Sequence, residues 1–284
     1  MTEGHGMKGH DIKMIAVDLD RTALDNESRL TERTIKAFQA AAEKGVIVVI
    51  DTGRTYNALP KQVHGLDSIR YFICSNGATI YDAETNEMLM EKCLDPAAVE
   101  TMTELVREKD LMFESFTAGR AYIGKDYYEK VCSGSLDFRN RKYVQETRTP
   151  VDDIFRFTLN NKDRIENLNV FFSTPEQKAE FRPLLEAIPN ARLTSSLPSN
   201  YELGGCGVSK GAALKYLIDM LGIDRKEVLA AGDSPNDIAM LELAGVSVAV
   251  DNAEPEVKQA ASYIALSNNE DGVAEAVERF VISD

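Results

Sequence analysis

The feature that most constrains the fold of this chain is a short apolar run that ends in two aspartates, at residues 14–22 (Met-Ile-Ala-Val-Asp-Leu-Asp-Arg-Thr). The apolar residues have the composition of a strand buried on both faces of a parallel sheet. Asp18 and Asp20 then lie where such a strand emerges at its carboxyl end, the edge where open α/β sheets bind ligands. Because side chains at i and i+2 of an extended segment point the same way, both carboxylates face one small volume. Such charges repel unless a cation or a proton lies between them, so the pattern favours a divalent metal, a nucleophilic carboxylate beside an acid/base carboxylate, or both.

Strands and helices alternate over the next part of the chain. Thr31 is a predicted N-cap for a helix over 31–44, where apolar side chains recur at near-helical spacing. Buried strands are predicted at 46–50 and 71–74, and polar residues directly follow each of them. A strand, helix, strand, helix, strand order predicts a parallel α/β sheet.

From about residue 82 the pattern changes to α+β, and the strand ends no longer carry carboxylates. Parallel α/β order resumes with a helix capped by Ser209 and a strand at 228–231. We therefore predict a mobile leader at 1–12, a core domain formed by 13–81 and 199–284, and a second domain, 82–198, inserted into it. The elements predicted in the insertion are helices at 96–109 and 175–187, an amphipathic segment near 127–138, a hairpin at 111–123 that turns at Ala118-Gly119, and strands at 169–173 and 191–197.

Charge and composition exclude several classes of protein. Acidic residues outnumber basic residues by 46 to 32, and the net charge of −14 disfavours binding to nucleic acid or to an anionic membrane. The longest apolar run, 46–50, is far short of the roughly 20 residues that span a bilayer. The four cysteines lack the spacing of zinc or redox sites, so we expect reduced thiols and a cytoplasmic protein. With three histidines, the chain is a poor candidate for a Ser-His-Asp hydrolase or a histidine-ligated zinc enzyme.

Functional side chains follow four predicted strand ends or helix starts. Taken in order, these residues resemble the four motifs of the haloacid dehalogenase superfamily of phosphotransferases: Asp18 with Asp20, Thr52, Lys210, and Asp233 with Asp237. The segments SNGATIYD (75–82), GVSKGAAL (207–214), GDSPNDIAML (232–241) and SNNEDGVAEAV (267–277) resemble its Cof-like type IIB branch, which carries a C2B cap. The resemblance implies a Rossmann-like parallel sheet as the core, with 82–198 as an α+β cap.

The resemblance also implies a function, a Mg²⁺-dependent phosphatase of small phosphorylated metabolites such as sugar phosphates. Asp18 would be the nucleophile that forms an aspartyl phosphate, and Asp20 the general acid and base. Mg²⁺, which prefers hard oxygen ligands, would be held by the carboxylates of Asp18 and Asp233 and the backbone carbonyl of Asp20. The other implied roles are phosphate binding by Thr52, Gly53, Lys210 and Asn236, orientation of Lys210 or a metal-bound water by Asp237, and substrate contact by Arg21, Arg54 and Asn76.

Each motif taken alone also has a structural interpretation. Asp18 and Asp20 fit turn residues about as well as catalysts, and Thr52 with the following glycine fits a simple turn. Lys210 alone fits a solvated lysine, but a cation at a helix N-terminus opposes the helix dipole, which favours a bound phosphate there. Arg54 fits a substrate contact and a surface ion pair equally well.

The chain departs from the family pattern directly after the second aspartate. Arg21 stands where the family usually has Gly, and Ala23 stands where it usually has Leu. We expect Arg21 either to contact the phosphate or substrate or to point outward. A further change, Asp251 in place of a common Gly, is expected to be tolerated in a loop.

Two other functions are compatible with the sequence. A phosphomutase of the same superfamily would require a bisphosphorylated intermediate. A phospho-acceptor signalling module would use Asp18 as a phosphorylated switch, but such modules are much shorter and lack an aspartate two residues after the acceptor. We favour the phosphatase, with a small-molecule phosphate ester as partner and with neither nucleic acid nor a membrane.

Overall fold

This computed structural model describes residues 11–109, 111–136 and 139–283. Residues 1–10 of the predicted leader, 1–12, lie outside the described residues. None of the helices in the described ranges combines the length and the apolar character that crossing a bilayer requires.

The strands, numbered in chain order, form two separate sheets. Their bounds are β1 (Met14–Val17), β2 (Ile47–Asp51), β3 (Ile69–Cys74), β4 (Thr79–Asp82), β5 (Met88–Glu91), β6 (Met112–Thr117), β7 (Arg120–Gly124), β8 (Arg148–Val151), β9 (Asn167–Phe171), β10 (Ala191–Thr194), β11 (Asn200–Gly205), β12 (Val228–Gly232), β13 (Val246–Ala249) and β14 (Tyr263–Ile264).

The α-helices flank these sheets and connect their strands. Their bounds are α1 (Glu32–Glu43), α2 (Lys61–His64), α3 (Pro96–Arg107), α4 (Lys125–Ser133), α5 (Arg141–Thr147), α6 (Ile154–Asn160), α7 (Pro175–Glu186), α8 (Lys210–Leu221), α9 (Ile238–Leu243), α10 (Pro255–Ala260) and α11 (Gly272–Val277).

The first sheet has the order β14-β13-β12-β1-β2-β3-β4-β5, with β1 near its centre. β1 pairs in parallel with both β2 and β12, so that Met14 lies opposite Ile47 and Val228. Every residue of β1 is fully buried, which explains the continuous apolar run. The predicted parallel α/β core is confirmed, and β4 and β5 extend it as an antiparallel edge.

Two predicted helix starts position residues of the core. The Thr31 side chain accepts a hydrogen bond from the Thr34 backbone N–H at the start of α1. Ser209 accepts in the same way from the Ala212 N–H at the start of α8. Each cap satisfies a backbone donor that the first helical turn leaves without a partner, so both helices begin where the sequence predicts.

The second sheet has the order β10-β11-β9-β6-β7-β8 and a hydrophobic core of its own. The predicted insertion limits, 82–198, are wrong at both ends. β5 pairs with β4 in the first sheet, because its Met90 packs into the first core. β11 pairs with β9 in the second sheet, because its Tyr201 and Leu203 pack into the second core. The chain therefore passes between sheets after β5 and returns after β11.

Candidate active site

The carboxyl ends of β1 and β12 bring the predicted aspartates together. Asp18 directly follows β1, and its backbone N–H donates to the Ala231 carbonyl of β12. Asp233 directly follows β12. Both side chains are almost fully buried, at 5% and 1% exposure. The convergence follows from the parallel pairing of the two strands, whose ends meet at one edge of the sheet.

Lys210, the first residue of α8, lies beneath Asp18 and is 1% exposed. Its Nζ donates to Asp18 Oδ1 at 2.6 Å and to Asp237 Oδ1 at 2.7 Å. Burial lowers the pKa of this amine, but the adjacent charges of Asp18 and Asp237 outweigh burial and raise the pKa above its ordinary value. Two carboxylates therefore offset the unfavourable helix dipole at this position.

Asp237 joins the lysine to the loop after β12. Its Oδ2 accepts hydrogen bonds from the backbone N–H groups of Asp233 and Ser234, each at 2.9 Å. Its other carboxylate oxygen accepts from Lys210, so both oxygens are engaged. The Asp237 side chain therefore orients the amine and the Asp233 backbone at the same time.

Asp18, Asp233 and Asp237 form a buried acidic cluster in which one oxygen of each lies within 4.8 Å of the others. Burial, followed by the charge of Asp237, raises the pKa of Asp233 to about 6. Burial and the neighbouring carboxylates also raise the pKa of Asp18, although Lys210 opposes that rise. The cluster thus holds more negative charge than one buried lysine neutralises, and its hard oxygen donors fit a divalent cation such as Mg²⁺.

Asp20 is not a member of the acidic cluster and forms a bidentate ion pair with Arg54. Arg54 Nη2 donates to Asp20 Oδ1 at 2.6 Å, and Arg54 Nε donates to Oδ2 at 2.7 Å. Partial desolvation raises the pKa of Asp20, but the charge and hydrogen bonds of Arg54 outweigh it and hold the pKa below its ordinary value. The partner of Arg54 is thus a motif aspartate, and a contact between Arg54 and substrate stays a prediction.

A chain of amides links the remaining predicted residues. Asn236 Nδ2 donates to Asn76 Oδ1 at 2.9 Å, and Asn76 Nδ2 donates to Glu202 Oε2 of the second sheet. Gly53 packs against Asn76, since a Cβ at that glycine would lie 3.1 Å from Asn76 Oδ1. Thr52 is fully buried, and its hydroxyl accepts from the Arg54 backbone N–H.

Arg21 occupies the left-handed backbone conformation, with φ at +61°. Glycine adopts this conformation without steric cost, which is the physical reason for a glycine here in the family pattern. Arg21 is held by its side chain, which donates to the Asn252 carbonyl and lies 3.4 Å from Asp233 Oδ2. Its guanidinium thus contacts the acidic cluster, and its residue lines the same cavity as Asp18.

The cavity above Asp18 measures about 370 Å³ and has walls from both sheets. Sequence reasoning missed the second-sheet wall, because no spacing rule links its residues to the strand ends of the core. It also missed Asp51, a fully buried residue at the end of β2, although the residue stands next to Thr52. The side chains that line the cavity from the second sheet, its helices and the loop before α5 include Phe116, Arg139, Tyr143, Arg148, Asn169 and Glu202.

Comparisons with known proteins identify the family of this chain. The model of the haloacid dehalogenase-like hydrolase family matches residues 15–277. The chain is 32% identical over 272 residues to 5-amino-6-(5-phospho-D-ribitylamino)uracil phosphatase of Bacillus subtilis, covering 96% of this chain and 97% of the relative. A solved haloacid dehalogenase-like hydrolase from B. subtilis is 27% identical, with a TM-score of 0.80 and coverage of 94% and 99%. A solved sugar phosphatase of haloacid dehalogenase subclass IIB is 25% identical, with a TM-score of 0.81 and coverage of 94% and 98%.

Proposed function

Since the chain belongs to the haloacid dehalogenase-like hydrolase family and is a phosphatase, we propose that it hydrolyses small phosphorylated metabolites, foremost sugar phosphates, through an aspartyl phosphate on Asp18. The observation that carries the proposal is the placement of Asp18 at the strand end, with Lys210 on one side and Asp233 on the other. A ribitylaminouracil phosphatase and a sugar phosphatase among the similar proteins support the substrate class.

In the first proposed step, an Asp18 oxygen attacks phosphorus and the bond to the leaving oxygen breaks. Asp20 gives its proton to that oxygen. In the second step, water attacks the aspartyl phosphate, its proton passes to Asp20, and the bond between phosphorus and Asp18 breaks to release inorganic phosphate. Lys210 holds the nucleophilic carboxylate and neutralises charge, while Asn236 and Thr52 bind phosphate oxygens.

The pairing of Asp20 with Arg54 adds a condition to this scheme. A carboxylate held by two guanidinium hydrogen bonds has no proton to donate. An incoming phosphate dianion is also a strong partner for a guanidinium, so we propose that substrate competes for Arg54 and frees Asp20. The pKa of Asp20 would then rise toward the range in which it acts as a general acid.

The donor set also supports Mg²⁺ as cofactor. We propose that the carboxylates of Asp18 and Asp233 and the backbone carbonyl of Asp20 would hold the ion, whereas Asp237, with both oxygens engaged, orients Lys210. When bound, the ion neutralises charge between an anionic nucleophile and an anionic phosphate.

We further propose that the second sheet and its helices act as a cap over the cavity, with junctions after β5 and after β11 instead of at 82 and 198. The basis for this proposal is the separate hydrophobic core of that sheet and its contribution to the wall facing Asp18. A cytoplasmic location is a prediction that rests on four free cysteines.

The test of the proposed function uses Asp20→Asn and nitrophenyl phosphate, whose leaving group needs no proton. The variant should form the aspartyl phosphate but hydrolyse it about 10²–10⁴-fold more slowly, because it lacks the base for the second step. A burst of about one nitrophenolate per active site should appear, with phosphate retained on Asp18 by mass spectrometry. Asp18→Asn should give no burst, and Asp219→Asn, which changes an exposed ion pair, should match the unmodified protein. Turnover that survives in Asp18→Asn would contradict the mechanism.

A further inference from the structure

Two arginines of the second-sheet wall share a single buried carboxylate. Arg139 Nη2 donates to Glu114 Oε1 at 2.6 Å, and Arg148 Nη2 donates to Glu114 Oε2 at 2.8 Å. The arginine side chains are each 4% exposed, and Glu114 is fully buried. Arg139 and Arg148 both line the cavity that contains Asp18. We call Arg139 and Arg148 the cap guanidinium pair.

The cap guanidinium pair has one carboxylate in direct contact, Glu114. Glu114 is ionised: burial raises its pKa, but the two guanidinium groups outweigh burial and lower it. Two guanidinium groups thus share one ion-pair partner, and the structure shows no other carboxylate in an ion pair with either arginine within the described ranges. Each arginine gives one nitrogen to Glu114 and also lines the cavity, so an anionic group on the substrate would be a charge-assisted acceptor for the remaining guanidinium donors.

The hydrogen bonds of the pair are also incomplete. The Nε atoms of Arg139 and Arg148 are buried and have no hydrogen-bond partner among the described residues. Glu202 also lines this cavity, but its oxygens accept from Asn76, Ser196 and Asn200. These donors are neutral and do not offset the charge of Glu202. Burial lowers the pKa of Arg139, and the charges of Glu114 and Glu202 oppose that fall, but Glu202 forms no ion pair with Arg139 or Arg148 among the described residues.

The position of the pair relates it to the reacting groups. The guanidinium carbons of Arg54 and Arg148 each lie 4.7 Å from the centre of the Tyr143 ring. Arg54 in turn holds Asp20. Thus two side chains separate the predicted general acid from the cap guanidinium pair. A cavity of about 370 Å³ joins the two, which is within the volume range of small-molecule sites.

From this geometry we infer that the cap guanidinium pair binds a second anionic group of the substrate, a carboxylate or a second phosphate on the leaving group. The inference rests on the proposed function, in which the scissile phosphate lies at Asp18. Guanidinium groups match both anions through paired N–H donors. A neutral polyol would offer these guanidinium groups only uncharged acceptors, which form weaker hydrogen bonds than an anion does.

The experiment compares phosphate esters that differ only at the end remote from the scissile phosphate. Glycerol 3-phosphate is paired with 3-phosphoglycerate, and glucitol 6-phosphate with 6-phosphogluconate, to test a carboxylate. To test a second phosphate, glucose 6-phosphate is paired with glucose 1,6-bisphosphate. NMR then shows which of the two phosphates of the bisphosphate is released. The unmodified protein should show kcat/KM about 10–100-fold higher for the anionic member of at least one type of pair.

Variants then assign the preference to the cap guanidinium pair. Arg139→Gln and Arg148→Gln should each bring the ratio of the two kcat/KM values toward one, and Arg148→Lys should retain part of it. The matched control is Arg120→Gln, which removes an exposed arginine of the second sheet and should leave the ratio unchanged. If a variant fails to fold, the ratio of the two kcat/KM values in the unmodified protein still tests the inference, because it requires no substitution.

The outcomes separate this inference from the proposed function. If nitrophenyl phosphate and neutral esters turn over but no anionic member is preferred, the inference is wrong and the phosphatase proposal stands. A preference that persists unchanged in both glutamine variants would also overturn it. Absence of turnover with every ester would overturn the proposed function, and the inference with it.

Discussion

Replacement of Asp51 by asparagine should remove a large pH-dependent term from the free energy of unfolding. Asp51 ends β2 and is fully buried, and neither of its carboxylate oxygens has a hydrogen-bond partner among the described residues. Burial raises its pKa to about 8, with Lys210 opposing the rise and Asp237 adding to it. In the unfolded chain the same group titrates near its ordinary pKa of about 4.

The sign and the size of this change in the free energy of unfolding follow from the linkage between proton binding and unfolding. Protonated Asp51 stabilises the fold fully below about pH 4, and this stability is lost as the pH rises through the folded pKa near 8. Between these values the folded state binds a proton that the unfolded state has lost, which costs ~1.4 kcal/mol per pH unit. Because asparagine does not titrate, the stability difference between Asp51→Asn and the unmodified protein should grow by ~3 kcal/mol from pH 5 to pH 7.5 in favour of the variant.

Urea unfolding followed by circular dichroism, in metal-free buffer at half-unit pH steps, measures this difference. Metal is removed because its binding would add its own pH dependence. The control is Asp219→Asn, whose carboxylate is 60% exposed beside Lys215, and which should run parallel to the unmodified protein. If the Asp51→Asn curve is also parallel to that of the unmodified protein, then Asp51 titrates alike in both states and the reasoning from burial is wrong.

Three further predictions concern the active site. Exhaustive chelation should abolish turnover and Mg²⁺ should restore it, because the buried acidic cluster otherwise repels a phosphate dianion; full activity after chelation would contradict the metal requirement. Arg54→Gln should raise the pKa of Asp20 toward its ordinary value and move the corresponding limb of the kcat/KM profile to higher pH, whereas an unmoved limb would show that Arg54 does not set this pKa. Arg21→Gly should tighten Mg²⁺ binding by about 2- to 5-fold in calorimetry, because it removes a partly exposed cation beside Asp233; weaker or equal affinity would refute this.

Apolar runs and turn residues predicted those strands and turns whose formation depends on residues close in the sequence. The run before Asp18 forms the central parallel strand, and the hairpin turn at Ala118-Gly119 has positive φ at both residues, joining β6 to β7. The segment from α5 to α6 escaped prediction because its elements are short and its charges interrupt the apolar spacing. β8 also contains Pro150, which argues against a strand, but β8 lies at the edge of its sheet, where strands tolerate proline.

The candidate site also has contacts that could be predicted from the sequence and contacts that could not. The meeting of Asp18, Lys210 and Asp233 could be anticipated, because parallel strands and the helices after them place their ends along one edge. The partner of Asp20 could not, since Arg54 follows another strand and its long side chain can reach several acids. Arg148 was beyond sequence reasoning as well, because only the packing of the second sheet brings it to the cavity.

The two-sheet wall of the cavity has a consequence for how such a protein diverges. The groups proposed to break and form bonds, such as Asp18 and Lys210, come from the ends of the first sheet and its helices, whereas Arg148 comes from the second sheet and Arg139 from the loop before α5. The sheets have separate hydrophobic cores, so a mutation in one wall need not disturb the packing that holds the other. A duplicated gene can therefore acquire a new metabolite preference by drift in the second sheet alone, while it inherits its reaction chemistry intact.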